Sequence, residues 1–565
     1  MNLNVRIWIL FSALVCFSFL LVGRLYWIQI ISGQEFVQLA ENQFVVPNYH
    51  NYSRGDIVFS TVKGERVPMA TLRSGNILAL NPLLIIDPEY VYKELSSVID
   101  VDKERFDVVT SREVNYVELN NHLSLDEGQA IRKLELEGVT LHPQSWRYYP
   151  GESIAAQTVG FIGFQGNELA GRYGLERNYE SVLSRRSDSY TVNFFAEIFA
   201  NMSHEMSDMS HVEGDVITYL EPSLQSMVEN RLLEFMDKWH AEEVGAIVMD
   251  PVTGSIFSFS SLPSFDPNDF RNAKPDRYAN PLVENVYEMG SVIKALTIAS
   301  GIDAGVISPQ SKYYDHGSVR IDGFTVSNFD GRSRGEIDMQ KVLNDSVNTG
   351  VVHIMELMGT NRFAQYMKDF GFSEKTGIDL PNEAENIINN FDSPRRIEYA
   401  TASFGQGIAL TPIGTIRALS ALANGGLVVE PRLVERIEYS DGTIEEIEKP
   451  NPRRVISEES SRSITRMLVN TVDEALVGGS FKKDRYSIAA KTGTAQVAHK
   501  FERGYQDDVF LHSFFGYFPA YDPEFIIFLY AVNPKDSLYA SQTLTEPFMD
   551  ITNFIINHYS ISPDR

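Results

Sequence analysis

The stretch VGAIVMDPVTGSIFSFS, residues 244–260, decides the fold of the second half of the chain. Two apolar runs flank PVTG (251–254), and Pro and Gly are typical of the turn between two strands. Just before them, SLQSMVENRLLEFM (223–236) has apolar residues at helical spacing. The sequence therefore predicts a sheet with helices packed on it, in a domain that we assign to residues 216–565.

The composition is that of a globular chain that folds mainly in water and is too long for one hydrophobic core. Its 565 residues include 49 Lys and Arg against 75 Asp and Glu, a formal charge of −26, and 43% of them are apolar. This length predicts at least two domains. Nucleic-acid-binding proteins usually carry a basic stripe, whereas this chain is strongly acidic, so we expect no nucleic-acid partner. Cys16 is the single cysteine, which excludes an intramolecular disulfide and a Cys-built zinc site.

The first 31 residues predict a short cytoplasmic stub and a transmembrane anchor. Residues 7–22 are uncharged, and a second apolar stretch after Arg24 extends the run to residue 31. Roughly 20 apolar residues span a bilayer, if Arg24 snorkels to the interface. A cleaved signal peptide is the alternative, but no small-x-small cleavage site follows the run. We therefore expect a single-pass cell-membrane protein with a cytoplasmic amino terminus, as Arg6 indicates, and an extracytoplasmic remainder.

Residues 32–215 predict a separate domain of mixed α and β structure in which no catalytic constellation appears. Strand-like runs occur at 85–86 and 107–110, and a helical pattern occurs at 123–131.

The segment 185–215 predicts an irregular connection, because it is rich in Ser, Met, His and acidic residues. His204 and His211 lie in it. We interpret them as solvated loop residues rather than metal ligands, because no Cys or carboxylate completes a ligand spacing.

A nucleophile and its base are predicted in EMGSVIKALTIASG, residues 288–301, where a glycine precedes an apolar helical run. Side chains at i and i+3 share a helix face, so the Lys294 amine can approach the Ser291 hydroxyl. A desolvated lysine with a lowered pKa can take the proton of a serine and so activate it. The same spacing recurs at residues 60–63 and 480–483, but neither copy begins an apolar helix.

The second polar element is Ser346-Val347-Asn348. A hydroxyl and a carboxamide two residues apart can both face one cleft from a turn or irregular segment, where they can relay a proton and bind an amide. A helix cap is the simpler interpretation, and residues 74–76 match the same pattern.

The third element is Lys491-Thr492-Gly493-Thr494, at the end of a strand-like run. A glycine at position 493 would let a substrate backbone pair with an exposed sheet edge. Lys491 and the hydroxyls of Thr492 and Thr494 could hold a substrate carboxylate. We interpret the second Lys-Thr-Gly copy, at 375–377, as a loop.

The order of these three elements is the motif set of penicillin-binding proteins and serine β-lactamases. With the anchor, the chain resembles a class B penicillin-binding protein, a monofunctional peptidoglycan D,D-transpeptidase with one membrane anchor. The resemblance covers nearly the whole chain and includes these further strings: RGDI (54–57), YYPGESIAAQTVGFIG (148–163), GRYGLE (171–176), PSFDPN (263–268), FGQGIALTP (404–412) and ANGG (423–426).

The resemblance implies an α+β protein with three parts. These are the anchor at 1–31, an elongated mixed α/β pedestal of the dimerisation type at 32–215, and a transpeptidase domain at 216–565. The last would have the β-lactamase-like arrangement of an antiparallel five-stranded sheet flanked by helices.

The resemblance also implies the chemistry. A stem peptide would be attacked at its penultimate D-Ala carbonyl, giving an acyl-enzyme that an amine from a neighbouring stem resolves into a crosslink. The implied roles are nucleophile for Ser291, base for Lys294, proton relay for Ser346 coupled to Lys491, amide binding for Asn348, and oxyanion binding by the backbone N–H groups of Ser291 and Thr494.

The implied ligands and partners follow from that chemistry. They are peptidoglycan stem peptides, β-lactams that acylate the same serine, the cell membrane, a polytopic glycan polymerase and other divisome proteins. We expect no metal or organic cofactor, because the chain supplies the nucleophile, the base and the hydrogen-bond donors.

Several alternatives on the same fold stay open. HSFFGYFPA (512–520) followed by EPFMDI (546–551) favours the septal over the elongation type. A D,D-carboxypeptidase or β-lactamase would hand the acyl group to water, and the anchor and the large amino-terminal region favour a crosslinking enzyme instead. A β-lactam sensor signals through a cytoplasmic domain. Only about six residues precede the apolar run, which disfavours a sensor. An inactive scaffold is disfavoured by Ser291, Lys294 and Lys491.

Overall fold

The computed structural model describes residues 53–166, 168–184, 213–448, 450–499 and 504–565, with single positions 8, 17, 18, 20, 21 and 24. Among these residues, no helix combines the length and the apolar character that a membrane crossing requires. The predicted anchor at 1–31 lies outside the described residues except at those single positions, and His204 and His211 lie outside them entirely.

The chain divides into two compact units. Among the described residues, one comprises Arg73–Trp146, and the other comprises Arg54–Leu72 together with residues 147–184 and the described part of the chain from residue 213 onward. The strands are β1 (Ile57–Ser60), β2 (Arg66–Leu80), β3 (Val117–Leu123), β4 (Val139–Tyr148), β5 (Ile162–Gln165), β6 (Glu168–Gly171), β7 (Gly214–Thr218), β8 (Glu243–Met249), β9 (Ile256–Leu262), β10 (Lys312–Asp315), β11 (Ser318–Ile321), β12 (Phe324–Ser327), β13 (Gly335–Asp338), β14 (Leu427–Val428), β15 (Val434–Tyr439), β16 (Ile444–Glu446), β17 (Arg453–Arg454), β18 (Ala489–Ala498), β19 (Tyr505–Phe518) and β20 (Phe525–Val532).

The α-helices are numbered in the same way, and short 3-10 and π turns complete the helical structure. The helices are α1 (Pro88–Ser96), α2 (Lys103–Thr110), α3 (Leu125–Arg132), α4 (Ala156–Val159), α5 (Gly174–Asn178), α6 (Glu180–Leu183), α7 (Pro222–Trp239), α8 (Pro281–Glu284), α9 (Ile293–Asp303), α10 (Met339–Asn344), α11 (Asn348–Met358), α12 (Thr360–Met367), α13 (Arg396–Ala402), α14 (Pro412–Ala423), α15 (Glu458–Asn470), α16 (Ala540–Thr543) and α17 (Thr545–His558).

The first unit is a small sheet with helices packed on it. The second half of β2 pairs antiparallel with β3, so that Leu80 lies opposite Val117. The helices α1, α2 and α3 contribute Leu95, Phe106 and Ile131 to its apolar core. These residues are buried, so the unit has a hydrophobic core of its own.

Two strand predictions in this unit are wrong. Residues 107–110 belong to α2, whose first turn the Asp102 side chain caps. Phe106 and Val109 lie three residues apart and are both buried, so this run follows the helical period rather than the strand period. Residues 85–86 lie between a 3-10 turn and α1, outside any strand.

The second unit is built on a five-stranded sheet in the order β18-β19-β20-β8-β9. Every neighbouring pair is antiparallel. The predicted hairpin over 244–260 is formed by β8 and β9, and the predicted helix over 223–236 is α7. The expected α+β fold, with an antiparallel five-stranded sheet flanked by helices, is therefore confirmed.

Both faces of this sheet are covered. In β20, Ile527 and Leu529 join a core with α7 and α17, whereas Phe528 and Tyr530 join a core with α9, α14 and α15. Successive side chains of a strand point to opposite faces, which explains the continuous apolar run of β20. The strand β18 is left at one edge of the sheet, next to the amino-terminal end of α9.

A smaller sheet in the same unit has the order β16-β15-β7-β1, with the first half of β2 beside β1. The strand β7 is parallel to β1 and antiparallel to β15. The strand β7 begins at Gly214, one residue before the predicted end of the connection at residue 215.

A buried ion cluster explains two of the sequence strings quoted above. Arg54 of RGDI and Arg147 each place Nε 2.6 Å from a carboxylate oxygen of Glu176, the last residue of GRYGLE. Burial raises the pKa of Glu176, but Arg147 and Arg54 more than offset this effect, so that the pKa lies below its usual value. The carboxylate is therefore held ionised inside this unit.

Candidate active site

Ser291 lies in a tight turn that is fixed to the edge of the large sheet. Gly290–Val292 forms a 3-10 turn that leads into α9, and Gly290 has φ +63°. A Cβ at Gly290 would lie 2.7 Å from the Thr494 carbonyl oxygen. The turn therefore approaches β18 so closely that only glycine fits at position 290.

Lys294 lies one turn further along and is almost completely buried, with 1% of its surface exposed. Its Nζ donates to the Ser346 carbonyl oxygen and, at 3.1 Å, to Ser346 Oγ. Burial lowers the pKa of Lys294 well below its ordinary value, and the positive charges of Lys491 and Arg334 lower it further. An amine whose pKa is lowered gives up its proton more readily and can then act as a base.

Ser346 and Asn348 lie where α10 ends and α11 begins, so the predicted turn is present. Ser346 has φ +56°, a left-handed conformation that is strained for a residue with a side chain. Asn348 is the first residue of α11, and its Nδ2 donates to the Ser327 carbonyl at 2.9 Å. The main chain of a neighbouring strand thus orients this carboxamide.

The Lys-Thr-Gly-Thr motif lies within β18 rather than at its end, because β18 pairs with β19 along the whole motif. Lys491 is 4% exposed and its Nζ donates to the Thr492 carbonyl at 2.9 Å. Burial lowers the pKa of Lys491 to about 8. Thr494 Oγ1 accepts from the Ala540 N–H at 3.2 Å.

Gly493 has a role that differs from the one expected. A Cβ at this position would lie 2.3 Å from Ser513 Oγ and 2.7 Å from the Met289 carbonyl oxygen. Ser513 Oγ itself donates to that carbonyl at 2.7 Å. The missing side chain therefore lets the turn before Ser291 pack against the sheet. This packing within the protein explains the glycine without a substrate contact.

The three motifs meet at a cleft of about 440 Å³. Of the predicted site residues, the cleft is lined by Ser291, Ser346, Asn348, Lys491, Thr492 and Thr494. Lys294 and Gly493 are buried beside it. The cleft thus brings Ser291 together with a second hydroxyl and a lysine, and the buried amine of Lys294 lies beside it. These are groups that acyl transfer can use.

The competing copies of the motifs do not form such a site. The second Lys-Thr-Gly at 375–377 is in a loop, as predicted, and residues 480–483 form a turn and the coil after it. The Ser-x-Asn pattern at 74–76 lies within β2. Spatial convergence therefore selects one copy of each motif.

Sequence reasoning missed several side chains that line the cleft, among them Phe329, Arg334 and Tyr539. Phe329 and Tyr539 meet there, with ring centroids 5.5 Å apart, and Arg334 lines it as well. Arg334 forms ion pairs with Asp330 and Asp345, both at 3.0 Å. These residues come from loops without a motif, so no local pattern could have indicated them.

Comparison with known proteins agrees with this geometry. Residues 244–552 match the penicillin binding protein transpeptidase domain, and residues 50–214 match the penicillin-binding protein dimerisation domain. Stage V sporulation protein D of Bacillus subtilis is 29% identical over 97% of this chain and 85% of its own length. The peptidoglycan D,D-transpeptidase FtsI of Escherichia coli K12 is 24% identical over 98% of this chain and 91% of its own length.

Solved structures share the fold. Penicillin binding protein 3 of Mycobacterium tuberculosis, complexed with aztreonam, superposes with a TM-score of 0.69 at 22% identity, over 91% of this chain and 98% of that one. Penicillin binding protein 2X of Streptococcus thermophilus gives a TM-score of 0.72 at 18% identity, over 90% and 80%. Since the transpeptidase-domain match alone covers more than half of the chain and the dimerisation domain precedes it, the protein belongs to the class B penicillin-binding proteins, the transpeptidases that combine these two domains.

Proposed function

We propose that the protein crosslinks peptidoglycan as a D,D-transpeptidase in septal wall synthesis, through an acyl-enzyme on Ser291. The observation that carries this proposal is the Lys294 amine, which is buried, has a lowered pKa and contacts Ser346 beside the cleft that Ser291 lines. A desolvated amine is the kind of base that can activate a serine without histidine.

In the acylation step, Ser291 Oγ attacks the carbonyl carbon of the penultimate D-Ala of a stem peptide. Lys294 accepts the hydroxyl proton and returns it to Ser346, whose own hydroxyl proton passes to the leaving nitrogen, so that the peptide bond breaks and terminal D-Ala departs as an amine. The ester on Ser291 is then attacked by an amine of a second stem, which forms the crosslink and restores the hydroxyl.

The remaining predicted residues bind the substrate. Lys491, with the hydroxyls of Thr492 and Thr494, would hold the terminal carboxylate, and Asn348 would bind an amide of the donor. The backbone N–H groups of Ser291 and Thr494 would bind the oxyanion, an interaction worth about 3–4 kcal/mol per donor in other enzymes. The close approach of Gly290 to the Thr494 carbonyl supports this pairing, because it brings the two backbone segments together.

The membrane anchor remains part of the proposal. A single span within residues 1–31, a pedestal at 32–215 and a transpeptidase domain at 216–565 would hold the cleft outside the cytoplasm, near the wall. Peptidoglycan stem peptides are the expected substrates and β-lactams the expected inhibitors. A polytopic glycan polymerase and other divisome proteins are the expected partners of the anchor and pedestal.

Wall synthesis during sporulation is the second candidate function, because the Bacillus subtilis relative is named stage V sporulation protein D. Depletion of the protein in growing cells separates the two. Filaments without septa would support the septal role, whereas normal growth with a defect confined to spores would support the other.

Labelling with a fluorescent penicillin tests the assignment of Ser291. The wild type should carry the label covalently, and Ser291→Ala should not. Ser480→Ala is the matched control, since it removes the serine of the other carboxy-terminal Ser-x-x-Lys copy, and it should label like the wild type. Equal labelling of Ser291→Ala and the wild type would eliminate the proposed mechanism.

A further inference from the structure

The helix that carries Asn348 lacks a cap of its own. The residue before α11 is Val347, whose side chain cannot accept a hydrogen bond from the first turn. Instead, Oδ1 of Asn328, a distant residue after β12, accepts from the Thr349 N–H at 3.2 Å. Asn328 is 4% exposed, so this remote cap is buried.

A buried carboxylate holds the cap in place. Asp315 is 0% exposed and accepts from Asn328 Nδ2 at 2.9 Å and from Thr349 Oγ1 at 2.8 Å. It also accepts from the backbone N–H groups of Gly317 and Arg334, at 2.8 and 3.0 Å. A buried carboxylate is strongly unfavourable unless such donors surround it, so the loss of one donor should disturb the whole cluster.

The same cluster also reaches the other side of Ser346. The backbone N–H of Arg334 donates to Asp315. The side chain of Arg334 places its Nε 3.0 Å from Oδ2 of Asp345, the residue before Ser346. Asp345 on one side and Thr349 on the other are therefore both tied to the segment 315–334.

Ser346 needs such support because of its backbone. Its φ of +56° is strained, and a strained residue persists only where its surroundings determine its conformation. Its Oγ accepts a hydrogen bond from Lys294 Nζ at 3.1 Å, and a small shift of the backbone would break this hydrogen bond.

We propose that Asp315, Asn328 and Thr349 are positioning residues for the transpeptidase reaction, which hold the strained Ser346 so that its hydroxyl stays in contact with Lys294. This inference rests on the proposed function, because it assigns a task to residues that support the proton relay. None of the three is proposed to react with the substrate.

The test measures the rate constant for acylation by a fluorescent penicillin in the purified full-length protein. Thr349→Val keeps the volume of the side chain but removes the hydroxyl that donates to Asp315, and Thr349→Ser keeps the hydroxyl. We expect Thr349→Val to acylate about 10- to 100-fold more slowly, the effect of a small misplacement of reacting groups, and Thr349→Ser to stay within about threefold of the wild type.

A double-mutant cycle distinguishes positioning from a general loss of stability. If Thr349 acts through Ser346, then Thr349→Val in a Ser346→Ala background should slow acylation by less than about threefold further, because the group it positions is already gone. If Thr349→Val does not fold, Asn328→Ala enters the same cycle in its place.

Two results would overturn the inference. One is a Thr349→Val variant that acylates at the wild-type rate. The other is a Thr349→Val change that slows acylation as much in the Ser346→Ala background as it does in the wild type. Neither would touch the proposed function, which fails instead if Ser291→Ala is labelled as well as the wild type.

Discussion

Lys294 Nζ lies 3.1 Å from Ser346 Oγ, although Lys294 belongs to α9 and Ser346 to the turn between α10 and α11, 52 positions later in the chain. The proposed base and the proposed proton relay are thus in direct contact. Lys294 lies in the first turn of α9, and Ser346 lines the same cleft as Ser291, so a substrate carbonyl group bound at Ser291 would lie close to both groups.

Replacing Lys294 by Ala should slow acylation by a β-lactam by about 10²- to 10⁴-fold, the usual contribution of a general base. Noncovalent binding should change little, since Lys294 is buried beside the cleft rather than lining it. The measurement is stopped-flow acylation over a range of inhibitor concentrations, which separates binding from the chemical step. Lys294→Arg is the control: it retains a nitrogen donor for Ser346 but is always charged and cannot act as a base, so it should be slowed as well. An unchanged chemical step in Lys294→Ala would remove this residue as the base.

Arg334 should influence the pH at which the enzyme becomes active. Burial, then Lys491, then Arg334 lower the pKa of Lys294. Removing the Arg334 charge makes protonated Lys294 less unfavourable and therefore raises its pKa. In Arg334→Gln the acid limb of the acylation rate should shift to higher pH, whereas Arg334→Lys, which keeps the charge, should retain the wild-type midpoint. A shift of equal size in both variants would contradict this electrostatic explanation.

Lys491 should make the binding of a carboxylate depend on pH on the alkaline side. Burial lowers the pKa of Lys491 to about 8, so the side chain is charged below that pH and neutral above it. The noncovalent affinity for a penicillin, which carries a carboxylate, should therefore fall as the pH rises from 7 to 9. Lys491→Arg stays charged throughout this range and should lose the dependence. A wild-type affinity that is flat between pH 7 and 9 would argue against Lys491 as the carboxylate-binding group.

Most of the catalytic geometry could be predicted because the motif residues lie in elements with strong local patterns. The run after Ser291 is apolar apart from Lys294 and Thr297 as far as Ala299, and the runs of β8 and β9 flank a Pro-Gly turn, so their structure is set locally. The strand predicted at 107–110 is wrong because two adjacent valines favour a strand locally. Burial of Phe106 and Val109 on one face stabilises a helix there instead.

The parts that could not be predicted depend on contacts between distant segments. Arg334 and Tyr539 reach the cleft from loops, and Asn328 caps a helix that begins twenty residues later. Such partners have no fixed spacing in the sequence. Gly493 shows the same limit: the sequence indicates that a glycine matters here, but the reason for it, the approach of Ser513 and Met289, is visible only in three dimensions.

Glu229 should make the stability of the protein decrease as the pH rises. It lies on α7 and accepts from the Ala155 N–H and from Gln225 Nε2, both at 2.8 Å. Burial nevertheless raises the pKa of Glu229 from 4.5 to about 7. The folded protein therefore binds a proton here that the unfolded chain has released between these two pH values, and its stability must fall as the pH rises through that window.

The Glu229→Gln variant removes this ionisation and leaves an oxygen that can still accept both hydrogen bonds. It should be more stable than the wild type at pH 8, by on the order of 2 kcal/mol, and should approach the wild type at pH 5. Urea unfolding of the two proteins at both pH values measures the difference. Glu234→Gln, an exposed position on the same helix, should change the free energy of unfolding by less than about 0.5 kcal/mol at either pH. A stability difference between Glu229→Gln and the wild type that is the same at pH 5 and pH 8 would show that Glu229 does not titrate in this range, because a constant difference reflects packing rather than a proton.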